Sequence, residues 1–132
     1  PDCSCESGCM KSSGESVGFT ESGPASHLSV GADTSQKTVT TTIDDFVEQN
    51  AIERVDFIKM DIEGAEIPAL QGADRTLRRF RPDLAICAYH RLDDFYSIPL
   101  LIKKNEPSYK FFMDHYTIHK EETVIYGQAL PR

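Results

Sequence analysis

A chain of 132 residues has room for one domain and not two. Its 14 Lys and Arg against 21 Asp and Glu leave a net charge of −7, which argues against nucleic acid, because phosphate binding needs a basic footprint. With no run of about 18 apolar residues and no basic opening segment followed by an apolar stretch, the pattern predicts neither a membrane span nor a secretory signal, and a cytoplasmic location is expected.

Residues 1–36 hold five of the eight glycines, nine serines and three of the four cysteines, but only ten apolar residues. Such a segment buries little surface alone, so it reads as a Ser/Gly/Cys-rich loop or edge hairpin, and the core is expected within 37–132. Residues 17–22 and 27–31 are weak strand candidates about the turn signal Gly23-Pro24. The β-branched residues of 37–42 predict a strand. Thr42 or Asp44 is placed to cap a short helix whose Ile43, Phe46 and Val47 share a face. Residues 55–60 (VDFIKM) are the first strong strand pattern. After Asp61-Ile62-Glu63-Gly64 comes one helix, in which Ile67, Leu70, Ala73, Leu77 and Phe80 recur every three or four residues. Pro68 is tolerated in its first turn and Pro82 stops it. Residues 84–88 (LAICA) are a continuous apolar run, as for a strand covered on both faces. Ser97 can cap a further helix, with Pro99 in its first turn, Ile98, Leu101 and Ile102 inside, and Asn105 to Pro107 ending it. Residues 109–116 and 123–128 read as strands, and the short link 117–122 favours an antiparallel hairpin. From residue 37 the order is strand, helix, strand, helix, strand, helix, strand, strand. That predicts an α/β fold with a mostly parallel sheet, right-handed crossovers and a C-terminal antiparallel hairpin.

In open α/β sheets, ligands bind beyond the carboxyl ends of the strands. There the strand 55–60 offers Asp61, Glu63 and, a turn later, Glu66, while 84–88 offers Tyr89, His90, Arg91, Asp93 and Asp94. If the two strands are neighbours, these groups share a rim whose carboxylates, imidazole and phenol can move protons or hold a metal. Gly64 lets the backbone turn sharply behind them. The plainer reading has Asp61 and Glu63 capping the following helix, Glu66 capping or solvated, and His90 held by structural hydrogen bonds. His115, in a strand, and His119, in a turn, read as structural or solvent-facing, and His27 carries no signal. Cys3, Cys5 and Cys9 are three soft ligands close together, but a tetrahedral zinc site needs a fourth and Cys87 lies in a core strand pattern. Free thiols are the expectation. The motifs G-x-G-x-x-G, G-x4-G-K-S/T, G-x-S-x-G and H-E-x-x-H are absent from the sequence.

The segments IKMDIEGAE (58–66), ALQGA (69–73), RPDLAI (81–86) and Tyr89-His90 resemble, in order and spacing, the FkbM family of S-adenosylmethionine-dependent methyltransferases. VTTTIDDF (39–46), Ile98-Pro99, Tyr109-Lys110, His115-Tyr116 and ETVIY (122–126) extend the resemblance over residues 37–128, and more weakly over 15–36. It implies a Rossmann-like class I methyltransferase sheet of order 3-2-1-4-5-7-6, its last-numbered strand antiparallel. Residues 55–60, 84–88, 109–116 and 123–128 would be strands 4, 5, 6 and 7. The family's Gly-rich cofactor turn and ribose-binding acid have no counterpart here, and the chain begins at Pro1. The expectation is therefore the carboxyl-terminal half of the domain, with the N-terminal strands missing, an open edge on strand 4 and no activity alone.

The function implied is methyl transfer from S-adenosyl-L-methionine, to a hydroxyl oxygen of a small-molecule or glycan acceptor. His90 and Asp61 are the catalytic candidates, His90 as base. Asp61 and Glu63 are the cofactor-binding candidates, and Glu63 and Tyr89 those for the acceptor. Asp61 and Glu63 position the cofactor's amino group, orient the acceptor or ligate a divalent ion, and no metal ligand is assigned. The alternative is a non-catalytic remnant or partner-binding module that lacks the cofactor site.

Overall fold

The computed structural model describes residues 16–20, 27–30, 37–118 and 122–130. Cys3, Cys5, Cys9 and His119 lie outside them. Two sheets are present among the described strands. The first contains β1 (Ser16–Thr20), β2 (His27–Val30) and β3 (Lys37–Val39) in the order β2-β1-β3, antiparallel throughout. The strand expected at 37–42 is therefore shorter, and it joins this sheet rather than the alternating α/β part. Propensity identifies a strand, but its partner is a matter of non-local pairing.

The second sheet has the order β4-β5-β7-β6, with β4 (Phe57–Met60), β5 (Asp83–Cys87), β6 (Tyr109–His115) and β7 (Thr123–Ala129). β4 and β5 are parallel, with Met60 opposite Ile86. β7 is antiparallel to both β5 and β6, and the β6–β7 hairpin runs in register from Tyr109 opposite Ala129 to His115 opposite Thr123. Three strands thus point one way and β7 the other. β4 is an edge strand and alternates, burying Ile58 and Met60 while exposing Phe57 and Lys59. β5, paired on both sides, is buried at four successive residues, Leu84 to Cys87.

The helices depart from expectation at their ends. α1 (Ile43–Gln49) is capped by Thr42, whose hydroxyl accepts the Asp45 N–H at 2.9 Å. The single helix expected from Ile67 to Phe80 is two, α2 (Glu66–Gln71) and α3 (Asp74–Phe80). The break falls at Gly72-Ala73, where glycine costs a helix about 1 kcal/mol and where the Gly72 carbonyl accepts the Asp44 N–H at 2.9 Å. Asp44 does not cap α1 but serves the start of α3. α4 (Asp94–Asn105) begins three residues before Ser97, so Ser97 is no cap and Pro99 lies inside the helix. The Ser97 N–H already donates to the Asp93 carbonyl at 2.9 Å, the regular bond to the residue four back that a helix interior makes and a cap does not.

Leu70, Leu77, Ile98 and Ile102 from the helices pack on Leu84, Ile86 and Ile125 of the sheet, each at most 1% exposed. Each such side chain contributes about 1.5–3 kcal/mol by leaving water. Tyr109 joins this core and donates its hydroxyl to the Pro82 carbonyl at 2.7 Å. No helix among the described residues is long and apolar enough to cross a membrane.

Candidate active site at the ends of β4 and β5

Parallel pairing of β4 and β5 sets their carboxyl ends side by side, and the residues just beyond them meet. The Tyr89 hydroxyl donates to Asp61 Oδ1 at 3.0 Å. Burial, and then this bond, push the Tyr89 phenol well above its usual value, so it remains a donor through neutral pH. Lys59 Nζ lies 3.9 Å from Asp61 Oδ2 and is two-thirds exposed, a pair of little energetic weight.

Beyond Asp61 the chain doubles back through Glu63 at φ 55° and Gly64 at φ 92°. A left-handed non-glycine residue costs about 1–2 kcal/mol, and strain of this kind gathers at sites that need a side chain aimed. Here the turn brings Glu63 Oε2 to 3.1 Å from His90 Nε2. Glu66, the first residue of α2, is 1% exposed. Its Oε1 accepts the Ile62 N–H at 3.0 Å and lies 3.4 Å from His90 Nδ1. The imidazole is 10% exposed and held between these carboxylates. It stacks on Tyr89 at a centroid distance of 4.1 Å. Both ring nitrogens and Glu66 Oε2 are buried and make no well-aligned hydrogen bond. Asp61, Glu63 and His90 each offer one ligand atom, all within 4.8 Å of one another.

The four residues singled out in the sequence, Asp61, Glu63, Tyr89 and His90, thus come together. Glu66, which the sequence also offers to this rim, joins them, and it is neither solvated nor a plain helix cap. The signal for it was its place as the first helical residue behind a sharp Gly turn. Cys87 ends β5 beside Asp61, and burial, then that carboxylate, push its thiol up to about 11, which makes it inert rather than nucleophilic. Asp94 accepts the Arg91 N–H at 3.0 Å and Arg91 lies 3.8 Å from Asp93, so these residues shape the entry to α4. His115 Nδ1 pairs with Thr123 Oγ1 at 2.8 Å across the hairpin. A separate concavity of about 540 Å³ lies between α1 and α3, lined by Val47, Ile52, Phe80, Glu48, Arg75 and Arg79 among others, and holds none of the rim residues.

An acidic rim at the carboxyl ends of parallel strands, around a buried imidazole, lies where open α/β sheets bind their ligands. The sequence matches the family described as Methyltransferase FkbM domain over residues 4–118, and the chain belongs to that family. It is similar to the crystal structure of methyltransferase FkbM from Methylobacillus flagellatus KT, with 31% identity and a TM-score of 0.64. That match covers 86% of this chain and 26% of the other, so this chain spans about a quarter of that relative's length. No curated protein matches it.

Proposed function

We propose that this chain supplies the acceptor side of a site that transfers a methyl group from S-adenosyl-L-methionine to a hydroxyl oxygen of a small molecule or sugar. Family membership supports methyl transfer, and the observation that carries the finer reading is the rim of Asp61, Tyr89, Glu63 and His90. The sheet order β4-β5-β7-β6, with β7 reversed, fits the second half of a Rossmann-like class I methyltransferase sheet.

The donor set fits the cofactor, because carboxylates at this rim suit a ligand that carries an ammonium and a sulfonium. When bound, S-adenosyl-L-methionine supplies an electrophilic methyl carbon. The chain's own task is to orient the acceptor hydroxyl and deal with its proton as the new O–C bond forms. Tyr89 holds Asp61 in place by donating to Oδ1, which leaves Oδ2 for an acceptor hydroxyl. Glu63 and Tyr89 border the same space. Asp61, Glu63 and His90 are the groups there able to take up the proton or neutralise the oxygen's charge. The sequence contains no Gly-rich turn for the cofactor's nucleotide part, so weak binding by the 132-residue chain alone belongs to this reading.

The test is transfer of labelled methyl groups from S-adenosyl-L-methionine to a panel of sugars and small hydroxyl compounds. Asp61→Ala and His90→Ala in the intact protein are expected to lower turnover about 100-fold or more, and Asp61→Ala, at an exposed residue, to keep the native melting temperature. Wild-type turnover in both variants would overturn the assignment.

A further inference from the structure

We propose that Asp61, Glu63 and His90 form a binding site for a divalent metal ion, with Glu66 as the carboxylate that orients the ligating imidazole. The first support is geometric. Ligands about 2.1 Å from a six-coordinate ion stand about 3.0 Å apart when adjacent and about 4.2 Å apart when opposite. Glu63 Oε2 and His90 Nε2 are 3.1 Å apart, the spacing of adjacent ligands. The widest separation in the trio is no more than 4.8 Å, and a small turn of the partly exposed Asp61 side chain closes it.

The imidazole is the second support. Exposed carboxylates often cluster without binding anything, but His90 is nine-tenths buried and neither of its nitrogens makes an aligned hydrogen bond. Nε2 faces Glu63, on the side where the ligand set converges. Nδ1 faces Glu66 Oε1 at 3.4 Å, and the Ile62 N–H holds that oxygen from behind at 3.0 Å. A metal-ligating histidine characteristically turns its other nitrogen to a carboxylate, which sets the tautomer and the ring orientation. Glu66 is in that place.

Charge is the third. Asp61, Glu63 and Glu66 surround one imidazole. Among the described residues, Lys59, at 3.9 Å from Asp61 and two-thirds exposed, is the one lysine or arginine paired with any of them. With a neutral imidazole, the three carboxylates and Lys59 sum to −2 beside a buried ring, and a divalent cation compensates it. Two carboxylate oxygens and one nitrogen, without a thiolate, suit Mn²⁺ and its neighbours rather than a soft ion. The role of the ion rests on the methyl-transfer reading, but the site itself does not. Beside the acceptor, the cation favours the deprotonated hydroxyl by charge. His90 then serves as a ligand and not as the base that the sequence pattern suggests.

The test uses Mn²⁺ alone, because Cys3, Cys5 and Cys9 would compete for Zn²⁺. Free Mn²⁺ is read by electron paramagnetic resonance and heats of binding by calorimetry, with no cofactor or acceptor present. One equivalent is expected to bind. Glu63→Gln and His90→Ala are expected to weaken it at least about tenfold. Glu66→Gln, which keeps an acceptor for the Ile62 N–H, should weaken it about 10–100-fold. Saturating Mn²⁺ should raise the melting temperature of the wild type and not that of Glu63→Gln. Glu63 is exposed, so that variant remains informative if His90→Ala does not fold. No uptake at millimolar Mn²⁺, or uptake that a folded Glu63→Gln leaves unchanged, overturns the site. Either result leaves the methyl-transfer reading standing, and a metal-loaded intact protein that transfers no methyl group defeats that reading alone.

Discussion

Asp44 and Thr76 are joined twice through one carboxylate oxygen: Oδ1 accepts the Thr76 hydroxyl at 2.7 Å and the Thr76 N–H at 2.8 Å. Oδ2 takes the Arg75 N–H at 3.0 Å. A single side chain from α1 thereby satisfies the first-turn donors of α3, where the helix dipole also favours a negative charge. Thr76 is 2% exposed, so its hydroxyl has no water to fall back on. Asp44→Ala is expected to destabilise the fold by about 2–3 kcal/mol, read as a fall in the urea midpoint at constant slope. A change below about 0.5 kcal/mol, the size of an ordinary surface substitution, would show that the contact carries little.

Glu106 provides the pH dependence. It follows α4 and takes the Ser108 N–H at 3.2 Å on one oxygen and the Arg81 guanidinium at 3.1 Å on the other. Hydrogen bonding from Ser108, then Arg81, holds its carboxyl below the ordinary value despite opposition from burial. A depressed folded-state value means that the unfolded chain binds the proton first. The contribution is therefore complete above the unfolded carboxylate value near pH 4.5 and is lost as pH falls through the folded value. Glu106→Gln is expected to melt below the wild type at pH 7, with the gap narrowing as pH falls below about 4.5. A gap that stays constant across that range would mean that Glu106 acts through packing rather than charge.

Cys87 yields a chemical prediction from its burial at the end of β5. Iodoacetamide at pH 8, read at the Cys87 peptide by mass spectrometry, is expected to react at least about tenfold more slowly in the native chain than in urea. Equal rates would mean that the end of β5 opens readily.

What the sequence reveals, and what it hides, follows from how local each signal is. The run at 84–88 announces a buried strand, because β5 is paired on both edges and Leu84 to Cys87 are all buried, so none of these four can be polar cheaply. Asp61, Glu63, Tyr89 and His90 were legible as a rim because consecutive parallel strands end on the same side of a sheet. The break between α2 and α3 was not legible. Ala69, Leu70, Ala73 and Leu77 keep facing the core across Gly72, so the apolar period runs on while the hydrogen bonds restart under Asp44, about thirty residues upstream. Glu66 was legible on the rim, but its burial was not. Its burial depends on the His90 ring and on the Ile62 amide, which only the folded turn at Glu63 and Gly64 brings together. The start of α4 was misplaced because Ser97 is a good cap by type, whereas Asp94 supports the turn through the Arg91 N–H.

Gly127 sits in β7 directly between Leu84 of β5 and Phe111 of β6. A Cβ there would stand 3.1 Å from Leu84 Cδ1 and from Phe111 Cε1, and 3.3 Å from Leu84 Cβ. Two effects oppose each other on Gly127→Ala. Loss of glycine's freedom in the unfolded chain favours alanine in a strand by about 0.5–1 kcal/mol. Against it, Leu84 is 1% exposed, and Phe111 stacks on Tyr109, itself pinned to the Pro82 carbonyl, so neither neighbour yields freely. Overpacking of a tight site costs about 1–3 kcal/mol, which is the larger effect, so a net loss of about 1–2 kcal/mol is expected. Adding Phe111→Leu should recover part of it in a double-mutant cycle, because the shared clash is then relieved. A Gly127→Ala chain more stable than the wild type would show that the β5–β7–β6 layer, on whose first strand Tyr89 and His90 depend for their position, is looser than these distances require.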